Sequence, residues 1–394
     1  VNEKQVDLLV VGGGLTGASL MLALADTPFT SLLVEARTFD TAFNEDFEAR
    51  TLALSPSSIR ILKKLQVWPL LESTATPIKK IHISEQARFG RAILSSSENE
   101  ALGYVVAMHE VSKVLHNLLR NHQVMAPAKL VSLDMKNNSA LIEQNGISYS
   151  VRAKLIVAAD GAQSLVRQFS GLAATKKIYA QQALVANIAL TRSHSHCAYE
   201  RFTASGPLAM LPMQGSRMSM VWAMEPEKAA LLLNADDSVF LKQIQQTFGY
   251  KLGRFTKVSK KYLYPLEQVV MPQQAKWPLV FVGNAAHTLH PVAGQGFNLG
   301  LRDIACLAQC IIESGLNPEM LKEYLAMRAY DQKTILSFTN GLIELFTSRI
   351  PGVGLGRRLG LIAVDNSTLL KKILTHHACG FAGIIPDLVC TSEQ

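Results

Sequence analysis

Two glycine-rich segments far apart in the chain carry the residue types that grip a phosphorylated ligand. Gly12-Gly13-Gly14-Leu15-Thr16-Gly17 fits G-x-G-x-x-G. In that spacing the first glycine permits a tight turn, the second lets backbone approach a pyrophosphate, and the third lets a helix pack closely on a strand. Glu35 closes the next apolar run, where a carboxylate accepts hydrogen bonds from a ribose diol; Ala36 and Arg37 follow it. The second segment runs from Gly283 and Asn284 through Pro291, Gly294, Gln295, Gly296 and Asn298 to Asp303, with no charge before Arg302. It follows the apolar run Leu279–Val282. A strand, a glycine-rich turn and a helix N-terminus together aim backbone N–H groups at an anion. Asn284, at the strand end, is placed to meet a polyol hydroxyl. His287 and His290 stand three apart without carboxylate companions nearby in sequence, so packing or a hydrogen bond to a neighbour is expected of them rather than catalysis.

Two anion sites so far apart in one chain imply one extended cofactor held from two sides, and FAD fits that requirement. The N–H groups of Gly294-Gln295-Gly296 would then lie at the flavin N1/O2 edge, where negative charge develops on reduction and a helix N-terminus stabilises it. Arg50, before Thr51-Leu52-Ala53-Leu54-Ser55, can lean on the pyrophosphate or the flavin edge. Asp160-Gly161-Ala162-Gln163-Ser164-Leu165-Val166-Arg167 reads as a sharp turn under a ligand, with Ser164 capping locally and Arg167 pairing with Asp160 or with phosphate. A further glycine repeat, Gly352-Val353-Gly354-Leu355-Gly356, follows Ile350-Pro351 rather than a strand and reads as a break between helices. No second dinucleotide fold is then available, so NADPH or NADH would visit as a transient donor and leave.

The elements that must position these residues follow from apolar patterning. Val6–Val11, Leu15–Ala25 and Ser31–Val34 form a strand, helix, strand unit; Ser55 caps a helix that Pro56 opens. Lys79–Glu85 alternates as a strand outside that unit, and Glu110–Asn121 is an amphipathic helix. Asn145-Gly146 between Ala140–Gln144 and Ile147–Val151 signals a type I′ hairpin, and Leu155–Ala159 is a buried strand. From Ala180 to Leu266 the pattern is β-rich, with one clear helix at Ser238–Phe248 and no phosphate loop. The predicted fold is mixed α/β: a Rossmann-like FAD-binding domain (1–71, 99–173, 274–345) interrupted by a β-sheet substrate domain (72–98, 174–273), with a helical C-terminus (346–394).

Composition agrees with a globular enzyme. The chain has 394 residues, 48% apolar and 18% charged, and a net charge of +8 without a long basic tract, which argues against nucleic acid as partner. Its five cysteines form no CxxC, and no metal site is expected; Cys306 and Cys310 share a helix face as reduced, buried thiols. With no visible signal peptide, the expected location is cytoplasmic.

Four motifs stand in order: the first glycine turn with Glu35, Arg50 before Thr51–Ser55, Asp160-Gly161, and Gly283–Asp303. Together they resemble the flavin-dependent aromatic hydroxylases that carry FAD in a single interrupted domain. Leu102–Val106, Glu200-Arg201-Phe202 and Gly206–Ala209 extend the resemblance to the ubiquinone-biosynthesis hydroxylases, and Asn284, where the wider family usually has Asp, favours the 2-polyprenyl-6-methoxyphenol hydroxylase subgroup. The resemblance implies that NAD(P)H reduces FAD, that O2 reacts to a flavin C4a-hydroperoxide, and that one oxygen passes to a prenylated methoxyphenol. It names no catalytic side chain; Arg50 and Pro291 are the expected modulators. It also implies a quinone-biosynthesis complex as a partner. The basic, apolar stretch with Arg357, Arg358, Lys371, Lys372, Leu355, Leu359, Ile362, Leu369, Ile373 and Leu374 could rest on the inner membrane as a peripheral contact, although packing on its own domain is the stronger expectation. A sibling hydroxylase acting on another ring carbon, an FAD-dependent prenyl reductase and a non-catalytic scaffold are the competing readings.

Overall fold

The run Val6–Val11 has no polar face, so the strand it forms must be covered on both sides. In the computed structural model, which describes residues 2–39, 50–96, 100–289, 294–347, 353–378 and 386–389, this run lies inside a mainly parallel sheet. β1 (Asn2–Val11) pairs in parallel with β2 (Ser31–Val34) and with β11 (Ile147–Ala158). β8 (Val124–Met125) continues in parallel beyond β2, and β19 (Leu279–Phe281) beyond β11, with β18 (Ala275–Lys276) antiparallel at the edge. Leu8 and Val10 enter one core with the helices α1 (Leu15–Ala23), α2 (Pro56–Lys64), α3 (Met108–Leu118), α7 (Gln295–Ser314) and α8 (Pro318–Thr347). Leu9 and Val11 enter the opposite core, closed by β9 (Lys129–Asp134) and β10 (Ser139–Gln144). Each such fully buried aliphatic side chain contributes roughly 1.5–3 kcal/mol of burial energy, less what ordering it costs.

A second sheet runs β20 (His287–Thr288), β17 (Tyr262–Val270), β12 (Thr175–Leu190), β15 (Arg217–Met224), β14 (Pro207–Met213), β13 (Cys197–Phe202), β5 (Lys80–Glu85) and β6 (Arg91–Ser95), with β16 (Phe255–Val258) on β12. Its outer face is covered by α5 (Pro226–Asn234) and α6 (Asp237–Phe248), which build a core with Tyr199, Met210, Met220 and Trp222. Its inner face looks toward a small third sheet, β3 (Thr51–Leu54), β7 (Gly103–Ala107) and β4 (Thr76–Ile78); Ala198 of β13 shares a cluster there with Ile78 and Val105. α4 (Leu165–Ser170) follows the Asp160 turn, while α9 (Val353–Asn366) and α10 (Thr368–Ala378) come last among the described α-helices.

Local expectations meet three corrections. Asn145 and Gly146 both have positive φ (52° and 78°), as the type I′ hairpin requires, but the two strands expected after it are one continuous β11. Its polar residues at Arg152 and Lys154 are tolerated because they are exposed while their neighbours are buried. A second helix, α5, lies in the sheet section, opened by Pro226 at its first turn. Gly354 and Gly356 sit inside α9, while Gly352 lies outside the described residues. That helix is anchored by its side chains: Arg357 pairs with Glu85 at 3.1 Å and donates to the Leu345 carbonyl, and Arg358 stacks on Phe89.

α7 and α8 are joined by charges removed from water. The Asp303 carboxylate accepts from Arg328 (2.8 Å), Gln332 (3.0 Å) and the Gly283 N–H (3.0 Å), and lies 2.6 Å from His287 Nε2. Asp331 accepts from Arg302 (2.8 Å) and Arg328 (2.7 Å). All of these side chains are buried. Burial alone would raise the Asp303 carboxyl; His287 and Arg328 outweigh it and hold the group far below its ordinary 3.8. Its contribution to stability is therefore complete above that value and is lost as pH falls through the lower folded one. Arg328→Met removes the cation shared by both carboxylates and is expected to cost roughly 3–5 kcal/mol, read as a lower denaturation midpoint; an unchanged midpoint contradicts the role given to the network.

Candidate cofactor and substrate site

The first glycine turn is shaped by close approach. Gly12 has φ +105°, and a Cβ there would lie 2.5 Å from the Ala159 carbonyl oxygen; one at Gly17 would lie 1.9 Å from the Gly12 oxygen. Gly14 differs. A Cβ there meets no protein atom within 4 Å, although the residue caps α1 in an extended conformation that any residue adopts. Gly14 stands at the N-terminus of α1, whose first N–H groups have no side-chain cap and no acidic residue in the first turn. Glu35 holds the turn from behind: Oε2 accepts from the Gly13 N–H at 2.6 Å and Oε1 from the Arg37 N–H at 2.9 Å. Ala36 and Arg37 are exposed beside it, and Leu15 is half-buried at the start of the helix.

The returning segment meets this turn directly. A Cβ on Gly283 would lie 2.9 Å from Thr16 Oγ1, and one on Gly300 would lie 3.3 Å from the same atom. Thr16 thus packs where α1, the Gly283 turn and α7 converge. α7 begins after Gly294 in the left-handed conformation (φ 60°), again without a side-chain cap or an acid in its first turn. Asn284 is exposed beside it, its Oδ1 about 4.0 Å from a Cβ position on Gly296. Asn298 faces inward: Oδ1 accepts from the Ser55 N–H (2.9 Å) and the Ser58 hydroxyl (2.7 Å), and Nδ2 donates to Ala53 (2.8 Å) and Gly294 (3.0 Å) carbonyls. Its side chain is fully spent on fixing the Gly294 turn against β3 and α2, leaving only its backbone for a ligand. Pro291 and His290 lie outside the described residues. His287 is bonded to Asp303, as expected of a histidine with a structural role.

The Asp160 turn closes the third side. Asp160 Oδ2 accepts from the Val166 N–H at 3.1 Å, whereas Oδ1 is buried with no partner, and burial pushes the carboxyl up from its ordinary value. Gly161 has φ +83° and open space at its Cβ position. Ser164 caps α4 by accepting from the Arg167 N–H, but Arg167 does not pair with Asp160. Its guanidinium donates to the Ala162 and Ala285 carbonyls, which tie this turn to the Gly283 turn. Gln295 Oε1 is likewise buried without a partner. Unpaired buried oxygens, two uncapped helix N-termini and an open glycine cradle fit a polyhydroxylated anionic cofactor such as FAD. Arg50 is exposed, with its guanidinium 5.4 Å above the Tyr264 ring on the inner face of the second sheet. A cavity of about 150 Å³ opens between that face and the third sheet, lined by Thr51, Thr76, Val105, Glu110, Met213 and Arg217 among others.

A family model for the FAD binding domain matches residues 5–339. Ubiquinone hydroxylase UbiL of Rhodospirillum rubrum is 33% identical over 399 residues, spanning 98% of this chain and 92% of that protein. The chain belongs to the FAD-dependent hydroxylases of ubiquinone biosynthesis. The 3-demethoxyubiquinol 3-hydroxylase of Escherichia coli is 28% identical, with 96% and 100% of the two chains covered. The solved p-nitrophenol 4-monooxygenase PnpA from Pseudomonas putida shares the fold, with a TM-score of 0.79 over 97% of this chain and 99% of that one at 17% identity. The chain is therefore a flavin-dependent monooxygenase with FAD as cofactor and NAD(P)H as the family's donor, which sets aside the reductase and scaffold readings.

Sequence reasoning missed two features of this site. The Thr16 contact with Gly283 and Gly300 carries no local signal. The network behind the Gly283 turn left one: Arg302-Asp303 and, i,i+3 on the next helix, Arg328 and Asp331 are charges on otherwise apolar helix faces. Gly14→Val is expected to leave the melting temperature of the FAD-free protein unchanged and to weaken FAD binding at least about tenfold, measured by flavin fluorescence titration, because the added atoms enter ligand space only. Gly17→Ala should lower both.

Proposed function

We propose that the chain hydroxylates the ring of a prenylated methoxyphenol, the step assigned to the subgroup that Asn284 favours. The observation that carries the wider reading is the convergence of the first glycine turn, the Asp160 turn and the start of α7 on the Gly283 turn, tied by Thr16 and Arg167. In this reading the α1 N-terminus at Gly14, Leu15 and Thr16 takes the pyrophosphate, and Glu35 with the Ala36–Arg37 backbone takes the adenosine ribose. Asp160, Gly161 and Asn284 take the ribityl chain, and the N–H groups from Gly294 to Gly296 take the flavin N1/O2 edge. When bound, FAD reduced by NAD(P)H supplies an activated oxygen atom derived from O2. The chain's own residues bind, orient and exclude water. Arg50, reaching from β3 to Tyr264, stands between the two halves and is suited to meet the donor or the flavin edge.

The apolar substrate needs an apolar approach. α9 exposes Leu355, Leu359 and Ile362 at helical spacing, and α10 exposes Leu369, Leu370 and Ile373 beside Lys371 and Lys372. Arg357 and Arg358 are spent on Glu85 and Phe89, and Lys371 pairs with Asp365 at 3.0 Å, which leaves Lys372 to meet a headgroup; no helix among the described residues is long and apolar enough to cross a membrane. This surface suits a peripheral seat on an anionic bilayer. The sibling reading, hydroxylation of another ring carbon, is supported by the Escherichia coli relative, named as a 3-demethoxyubiquinol 3-hydroxylase.

Loss of the protein should accumulate the prenylated methoxyphenol; accumulation of an already hydroxylated later quinol moves the assignment to the sibling step. Ile373→Asp is expected to reduce flotation with phosphatidylglycerol vesicles at low salt at least about fivefold, and equal flotation of native and variant protein contradicts the membrane seat.

A further inference from the structure

The inner face of the second sheet is largely apolar where it fronts the flavin-binding half, and the buried oxygens without a partner on it are Glu85 Oε2, Glu200 Oε1 and Ser219 Oγ, Glu85 being held by Arg357 through its other oxygen. Strand alternation decides the direction of β13. Tyr199 points outward, packing edge-on against Phe248 of α6, and Ala198 points inward to Ile78 and Val105. Glu200 therefore shares the inner face. Its neighbours across the sheet are Ala209 and Ile83, and the same row continues through Val221 and Val185 to Tyr262. Two residues further along β17, on the same face, Tyr264 carries the Arg50 guanidinium. Glu200 is half-buried, yet its Oε1 is closed off from solvent and has no hydrogen-bond partner.

An unpaired carboxylate oxygen inside an apolar wall is costly unless a ligand completes it. We propose that Glu200 is the substrate-recognition group of the site, accepting the hydrogen bond of the phenol hydroxyl and then its proton. The inference rests on the reading of the chain as a hydroxylase of a phenolic ring. In the step, the phenol O–H bond breaks, a new O–H bond forms on Glu200, and the electron pair stays on the ring oxygen. The resulting phenolate is more electron-rich at its ortho and para carbons, which is what an electrophilic oxygen attacks. Burial by itself pushes the Glu200 carboxyl up from 4.5 to about 7, a value suited to taking a proton near neutrality. Its neighbours from β5, β14 and β15 carry no charge; the nearest charged pair on that face by register is Glu85 with Arg357 of α9. The position also explains selectivity: a ring bearing a hydroxyl satisfies the carboxylate, and an ether leaves it unpaired.

The test uses the FAD-loaded protein with 2-geranylphenol and with its methyl ether. The native enzyme is expected to bind the phenol at least about tenfold more tightly than the ether, and its kcat to rise with pH through about 7. Glu200→Gln, with native FAD absorbance and melting temperature, should bind the phenol within about threefold of native, lose about 30-fold or more in kcat, and lose the pH rise. Glu200→Ala should abolish the preference for phenol over ether, and Glu200→Asp should restore part of the pH rise. Native enzyme that forms product beside a Glu200→Gln variant of unchanged kcat and pH profile overturns the Glu200 assignment alone. Native enzyme that forms no product from the phenol overturns the substrate reading and this assignment with it.

Discussion

A carboxylate sealed in the protein interior holds the site in shape. Asp303 binds the Gly283 N–H directly and is held in turn by His287, Arg328 and Gln332. An unpaired charge there would cost several kcal/mol, so the turn, α7 and α8 must come together or none is satisfied. The network has few substitutes because its partners are shared: Arg328 bridges Asp303 to Asp331, and Asp331 engages Arg302 one residue before Asp303. What this arrangement fixes is a glycine turn at the mouth of an uncapped helix. Rigid placement of backbone N–H groups is what an electrostatic site requires, since they must already point at the charge before it develops.

The same logic explains the closeness of two segments separated by a whole sheet. Thr16, Gly283 and Gly300 meet without room for a Cβ at either glycine unless a neighbour shifts. Two helix N-termini with no acid in the first turn are then adjacent, a combination that repels nothing anionic and offers many donors. The second sheet, with its outer face buried under α5 and α6, turns a largely apolar inner face toward them. The two sides differ in kind: uncapped helix N-termini and glycine turns on one, a largely apolar wall with the Glu200 carboxylate set in it on the other.

Much of this was legible in the chain. Motifs whose meaning is local, such as Gly12–Gly17 before a helix, Ser55-Pro56 at a helix start and Asn145-Gly146 in a hairpin, depend on backbone conformations that few residues adopt, so residue type reveals them. The partners of Arg167 and Asn298 were not legible, because their hydrogen bonds go to carbonyls and hydroxyls that any sequence supplies. The glycine repeat at Gly354 and Gly356 misled for a related reason: tertiary anchoring by Arg357 and Arg358 outweighs the helix propensity lost, roughly 1 kcal/mol for each glycine. Glu200 lies in a segment whose only sequence signal is the family resemblance. Its isolation is visible once strand register shows what surrounds it.

The central claim is that the Gly14 turn and the Gly294 turn grip two ends of one FAD. A crystal structure of the FAD-loaded protein tests it most directly. The account predicts the pyrophosphate within hydrogen-bond reach of the Leu15 and Thr16 N–H groups and the flavin pyrimidine edge against the Gly294–Gly296 backbone. An isoalloxazine ring lying away from Gly294–Gly296, with that helix N-terminus facing only solvent, would contradict it.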